Sequence, residues 1–242
     1  RNATENDRMN ALIRNIAVSL VLTLMTAIGA QADDHADQVK GPAEVVREST
    51  ESVLAAIEEA RDYIDEEPQR FYDEVEVLME DVVDFRYFAR GVMGKYGSKK
   101  YYESLDEEGK AEFRDRVERF TETFKSKLIE TYAKGLLAFN GNRIEVLPVE
   151  NLQSGRPVNV RQHIFGENPQ PYVIYYRMAQ GKDGQWRLQN VSIQGMNMGK
   201  LYMRQFASAV ARNDGNVDKV VDNWSVSEPV DAVAEEIESA ED

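Results

Sequence analysis

Between Tyr132 and Arg143 the period of the apolar residues changes, and no other feature restricts the possible folds as much. Before the change, Phe113, Val117, Phe120, Phe124, Leu128 and Tyr132 fall at spacings of four, three, four, four and four. That is one face of a long amphipathic helix. Asp106, three residues before Gly109 and followed by acids, reads as its start, and Asn140-Gly141 as its stop. After the change come "NRIEVLPVE", "RPVNVRQHIFG", "PYVIYYRMAQ" and "QWRLQNVSIQG", strand-like runs separated by Gly, Pro, Asn and Asp. "GKDG", residues 181 to 184, predicts a hairpin. In the last run Trp186 and Leu188 share one parity and Val191 and Ile193 the other, so a bulge near Gln189-Asn190 is expected.

The rest of the chain is helical in pattern. After Pro42, the residues Val46, Val53, Ile57, Ala60 and Ile64 form one stripe. From Pro68 a second begins with Phe71, Val75, Leu78 and Val82. It continues without a break through Phe85, Phe88, Val92 and Tyr96, with Gly94 and Gly97 ending it. "MGKLYMRQFASAVARN" and "NVDKVVDNW" predict two closing helices. Helices, then an antiparallel sheet of about four strands, then helices again make an α+β fold.

The N-terminal region reads as a leader. Arg14 precedes an apolar run from Ile16 to Ile28, and Ala30-Gln31-Ala32 follows. A basic start, about a dozen apolar residues and an A-x-A exit are the parts of a secretory signal peptide, with predicted cleavage after Ala32. The expected organisation is upstream residues plus leader over 1–32, a flexible segment over 33–43, one domain over 44–226 and an acidic tail over 227–242. The tail holds seven acids and no base from Glu228 onward, which predicts a solvated, disordered segment. There is no cysteine, which excludes disulfides, thiolate metal sites and a lipoprotein anchor. A net charge of −14 makes nucleic acid a poor partner.

Catalytic patterns are missing. His35 lies just past the predicted cleavage site and His163 shares a strand parity with Arg161; neither has a ligand-spaced neighbour. No nucleophile elbow, zinc-protease, Walker or dinucleotide pattern occurs. Acid pairs such as Glu58-Glu59 and Glu107-Glu108 sit on polar helical faces, where solvation is their ordinary state. On residues alone an ordinary packed core is the usual explanation of the aromatic and aliphatic stripes and a cavity wall the alternative, and periodicity does not separate them because both bury the same faces. The expectation is a protein without catalysis or cofactor.

Three blocks, "DFRYFARGVMGKYG", "FRDRVERFTETFKSKLIETYAKGLL" and "YYRMAQGKDGQWRLQNVSIQGMNMGKLYMRQF", resemble successive parts of the MlaC or toluene-tolerance family. These are periplasmic phospholipid-binding proteins of the maintenance-of-lipid-asymmetry transport system. The likeness runs from about Pro42 to Trp224. It implies helices on a curved antiparallel sheet, similar to a nuclear-transport-factor-2-like cone, enclosing an apolar cavity whose cargo is a phospholipid.

It further implies a carrier between an inner-membrane ABC transporter with an MCE domain and an outer-membrane lipoprotein–porin complex. On this reading Phe88, Val92 and Met93 face the acyl chains, with Phe120, Phe124, Leu128 and Tyr132 from the long helix. The strands add Ile174, Tyr176, Trp186, Leu188 and Ile193, and Met196 and Met198 complete the wall. Gly91 and Gly94 would allow close helix approach, and Arg86 and Arg90 would sit outside, paired with acids. The alternatives are an enzyme on the same fold, with an acid or tyrosine deep in the pocket acting on a hydrophobic substrate, and an exported structural or chaperone module with no cavity.

Overall fold

In the computed structural model, the residues described are 40–137, 143–150, 152–153, 155–166 and 170–225. The leader, the end of the long helix at Asn140-Gly141 and the acidic tail lie outside them. Five helices come first: α1 (Pro42–Ala60), α2 (Pro68–Glu80), α3 (Phe85–Val92), α4 (Lys99–Glu103) and α5 (Glu107–Leu137). The strands are β1 (Arg143–Val146), β2 (Val158–Phe165), β3 (Tyr172–Gln180), β4 (Trp186–Ile193) and β5 (Met196–Asn197). Helices α6 (Met198–Arg212) and α7 (Val217–Asp222) close the chain.

The sheet is an open antiparallel meander in the order β1-β2-β3-β4-β5. Its fifth strand, of two residues, is the one the alternating pattern is too short to reveal. The expected bulge is present. Met178 pairs with Leu188 and Arg177 with Asn190, so Gln189 is the extra residue. That shift puts Trp186, Leu188, Val191 and Ile193 on one face, opposite Met178, Tyr176 and Ile174. β4 turns into β5 through Gln194 and Gly195, both at positive φ (47° and 86°), as a tight two-residue hairpin requires.

The second apolar stripe is not one helix. It breaks at Asp81–Asp84, where Val83 forms a parallel bridge to Leu188. The Leu188 amide donates to the Val82 carbonyl (2.8 Å), and the Asp84 amide to the Leu188 carbonyl (2.9 Å). These bonds occupy the free edge of β4 beside its bulge, satisfying backbone groups that β5 is too short to reach. Asp84 then caps α3 by accepting from the Tyr87 amide (3.0 Å). A periodic pattern does not register such a break, but an Asp at this position is its signal.

Two expectations for the α3 corner are corrected. A side chain at Gly91 would meet nothing, whereas a Cβ at Gly97 would sit 2.4 Å from the Arg90 carbonyl oxygen. The tightest approach is at Gly97, where the 3-10 turn Gly94–Gly97 folds back on α3, while at Gly94 the expected close helix approach is present, a Cβ there lying 3.2 Å from Met203 Cγ of α6. Among the described residues Arg90 pairs with no acid; its Nε donates to the Gly97 carbonyl (3.0 Å) and pins that turn.

One core is helical and aromatic. Phe120 on α5 packs against Phe124 (5.7 Å between centroids), Phe206 of α6 (4.9 Å) and Trp224 (5.7 Å). Phe88 of α3 meets Phe124 edge-on at 5.2 Å. A second core joins α1, α2 and α5 through Ile57, Ala60, Phe71, Val75, Ile129 and Ala133. A third, smaller one holds Val46 of α1 against Val160, Met178 and Trp186 on the sheet. Outside these, Arg116 grips Asp218 of α7 with two bonds (2.9 and 2.8 Å), and Arg119 reaches both Asp218 and Asp222. α7 is thereby fastened to α5.

Candidate functional site

Between the inner face of the sheet and the helices lie two adjoining hollows, of about 300 and 260 Å³. Each is near the lower end of small-molecule pocket sizes. The larger is walled by α2, α3, α5 and α6 on one side and by β3 and β4 on the other. The smaller has α1 as its outer wall, through Val46, Thr50, Val53 and Ile57. Met79, Val83, Ile174, Tyr176 and Leu188 belong to both and form the waist between them.

Local sequence explains how each wall is placed. Val75, Met79 and Val83 follow at intervals of four, so one side of α2 and its exit loop faces the space. The bulge keeps Leu188, Val191 and Ile193 on the inner face of β4. The entry to α6 is set by an asparagine pair. Asn190 accepts from the Gly199 amide (2.9 Å) and donates to Asn197 (3.0 Å), which accepts from the Lys200 amide (2.9 Å). That junction directs Met198 and Tyr202 into the larger hollow.

The few polar groups in these walls have partners within the protein. Gln162, only 2% exposed, accepts from the Tyr176 hydroxyl (2.7 Å) and donates to Thr50 (2.8 Å). Thr50 in turn donates to the Val46 carbonyl (2.7 Å), and Ser49 to that of Val45 (2.7 Å). The hydroxyls of Tyr132 and Tyr202 bond to each other. Burial raises the pKa of all three tyrosines above that of a free phenol. At Tyr202 the neighbouring Tyr132 adds to the rise, while at Tyr132 the shared bond works against it. They stay neutral at ordinary pH, and among the described residues no carboxylate, histidine, lysine or arginine lines either hollow. Among the described residues no cluster of ligands could hold a metal.

Of the residues singled out from sequence, Phe88, Leu128, Tyr132, Ile174, Tyr176, Leu188, Ile193 and Met198 lie along the hollows. Val92, Met93, Phe120 and Phe124 are placed elsewhere, in the closed helical core, where rings and methyl groups already surround them. Trp186 is in the small core at the start of β4, and Met196 is half-buried in β5, outside both walls. Sequence reasoning missed Met79, Val83, Ile129, Tyr202 and the whole α1 wall. The four-residue rhythm Val75–Met79–Val83 was the available signal for the first two. Gln162 was hidden by its polarity, though its parity with Val160 and Ile164 marked it as inward.

Comparison with known proteins agrees with this arrangement. The sequence model of the MlaC protein family matches residues 47–226. The toluene tolerance protein ttg2D of Pseudomonas putida is 28% identical over 218 residues, covering 90% of this chain and 91% of that one. A structure of a phospholipid-binding protein from Ralstonia solanacearum, in complex with a phospholipid, superposes with a TM-score of 0.61 at 22% identity. The match covers 76% of this chain and 96% of the other, and shows that the two share a fold. With the family model matching 47–226, from within α1 through the sheet to beyond α7, the chain belongs to the MlaC family.

Proposed function

We propose that this protein carries a phospholipid across the periplasm, with its acyl chains in the two hollows, one on each side of the waist at Met79, Val83 and Leu188. The observation that carries this reading is an apolar wall whose buried hydroxyls and amide already have protein partners. Such a wall gains nothing from water and welcomes methylenes. Each methylene kept from water is worth about 0.8 kcal/mol, so two chains of roughly thirty methylenes represent more than about 20 kcal/mol. A lipid does not cross an aqueous space against that term unless a soluble protein shields it.

The carrier must also release its cargo. Met79 and Met198 in the wall suit that, being flexible and polarizable. Family membership, the toluene-tolerance relative and the fold shared with a protein described with a bound phospholipid all support the reading. By the same membership the exchange partners are an inner-membrane ABC transporter with an MCE domain and an outer-membrane lipoprotein–porin complex. The task is then to maintain outer-membrane asymmetry, without catalysis.

The test is to export residues 33–242 to the periplasm, purify without detergent and compare native with denatured masses. A near-stoichiometric loss of phospholipid mass is expected. Ile174→Trp, which fills the waist from the sheet, should lower the bound lipid at least about tenfold while the circular dichroism stays native. A clean lipid-free protein that also extracts nothing from vesicles would sink the proposal.

A further inference from the structure

Met198 and Tyr202, on the first turns of α6, face the larger hollow. Further along, the same helix borders a different concavity, a groove of about 460 Å³ against α7. Arg204 and Arg212 stand on its α6 wall and Lys219 on its α7 wall, all three exposed. Among the described residues no carboxylate lines this groove. The nearest acids of α7 do not answer the cations, because Asp218 and Asp222 are held by Arg116 and Arg119 of α5. In a chain with 43 acids against 29 bases such a grouping runs against the composition. The sequence carries its cause: from residue 184 to residue 213 there is no acid, although Arg187, Lys200, Arg204 and Arg212 fall in that stretch.

Between the cations the surface is apolar, with Leu201 and Ala209 partly buried and Val220 buried beneath them. Arg204 and Arg212, eight residues apart on one helix, are separated by about 12 Å along its axis. A single phosphate is too small to bridge that distance. A flat bilayer would rest on the rim of a concave site and leave its apolar floor unused. An extended peptide fits both features. Residues i and i+4 of a strand point to the same side about 13 Å apart, and residue i+2 points there between them.

We propose that the α6–α7 groove docks an acidic segment of a partner protein. Carboxylates at i and i+4 meet Arg204 and Arg212, an apolar side chain at i+2 covers Ala209 and Val220, and Lys219 adds a cation from the opposite wall. Arginine forks take carboxylates in pairs of hydrogen bonds, and a local basic patch draws an acidic segment to an otherwise acidic molecule. The surface is separate from the hollows, so this docking does not rest on the nature of the cargo.

The test titrates isotope-labelled residues 33–242 with a peptide of the pattern glutamate–serine–leucine–serine–glutamate, flanked by glycine and serine, and follows the backbone amides by NMR. The amides of Ser208, Ala209 and Val220 should shift and saturate. Arg204→Gln with Arg212→Gln should weaken binding at least about fivefold, as two exposed charge pairs are lost. Placing the two glutamates side by side, or adding about 0.5 M salt, should weaken it as well. The control is Arg161→Gln with Arg177→Gln, which removes the same charge from exposed positions on β2 and β3. It should leave the affinity within about twofold, and circular dichroism checks the fold of both variants. No saturation up to about 1 mM peptide would overturn the proposal. Equal losses in the two double variants would also overturn it, by reducing the effect to general attraction between charges. So would groove shifts produced by phosphatidylglycerol vesicles and not by the peptide, which would make a bilayer the occupant. Shifts that grow with protein concentration alone would assign the groove to a second copy of the chain and overturn it too.

Discussion

Along α5 one apolar stripe meets two different interiors. From Phe113 to Phe124 it is enclosed by α3, α6 and α7, with the rings of Phe88, Phe206 and, just past α7, Trp224 filling the space between the helices. Past Phe124 the neighbours change. Leu128, Ile129, Tyr132 and Ala133 face a sheet that stands off from the helix, and the gap between them is the larger hollow. Hydrophobicity is the same in both halves; the shape of the partner differs. Interlocked rings leave little room, whereas the Ile, Leu and Val side chains of the sheet leave a gap before the helix.

That contrast is sharpest in its energetic consequence. Phe120→Ala opens a void among Phe124, Phe206 and Trp224 that cannot collapse, and should cost about 3–5 kcal/mol. Leu128→Ala, on the wall of a space already empty, loses fewer contacts and should cost about 1–2 kcal/mol in lipid-free protein. Urea titrations of delipidated protein compare them directly. Equal losses would mean that the hollow closes in solution and that the two interiors are alike.

The second way to probe the contrast is through the hydroxyl pair where the two interiors touch. Tyr202 belongs to the helical core and also lines the hollow, and its hydroxyl meets that of Tyr132. Tyr132→Phe or Tyr202→Phe leaves the surviving hydroxyl without its partner in an apolar wall, at a cost of about 1–3 kcal/mol. The double variant removes both groups and should lie close to the wild type, so that the coupling is about as large as the two single losses added together. Additive losses would show that the two hydroxyls act independently, each with another partner.

How far the sequence could be read follows the same division. The longer helices, the four longer strands and even the bulge at Gln189 were legible, because each is set by local period and parity. The break at Asp81–Asp84 was not, since its cause is a bridge to Leu188 a hundred residues on, and periodicity carries no long-range term. The cavity was legible only in part. Phe120 and Leu128 sit on one stripe at the same spacing, and nothing in that spacing tells which of them faces a ring and which faces space. The resemblance to a lipid-binding family implied that a cavity exists. It took the sheet's stand-off to decide that Phe120 and Phe124 are core while Met79 and Tyr202 are wall.

The smallest effect lies outside both interiors, where α7 is fastened to α5. Hydrogen bonding from Arg116, first of all, holds the Asp218 carboxyl below the usual carboxylate range; burial opposes this, and Arg119 adds to the lowering. A depressed folded-state pKa means that the stabilisation is fully present above the unfolded value of about 3.9 and is lost as pH falls through the folded value. Asp218 is nearly half exposed, so solvent screens the pair, and Asp218→Asn should cost no more than about 1 kcal/mol at pH 7. Once the pH has fallen through that lowered value the wild-type carboxyl also loses its charge, so the two urea midpoints should converge. A gap that persists in acid would place the contribution of Asp218 in packing at the start of α7 rather than in its charge.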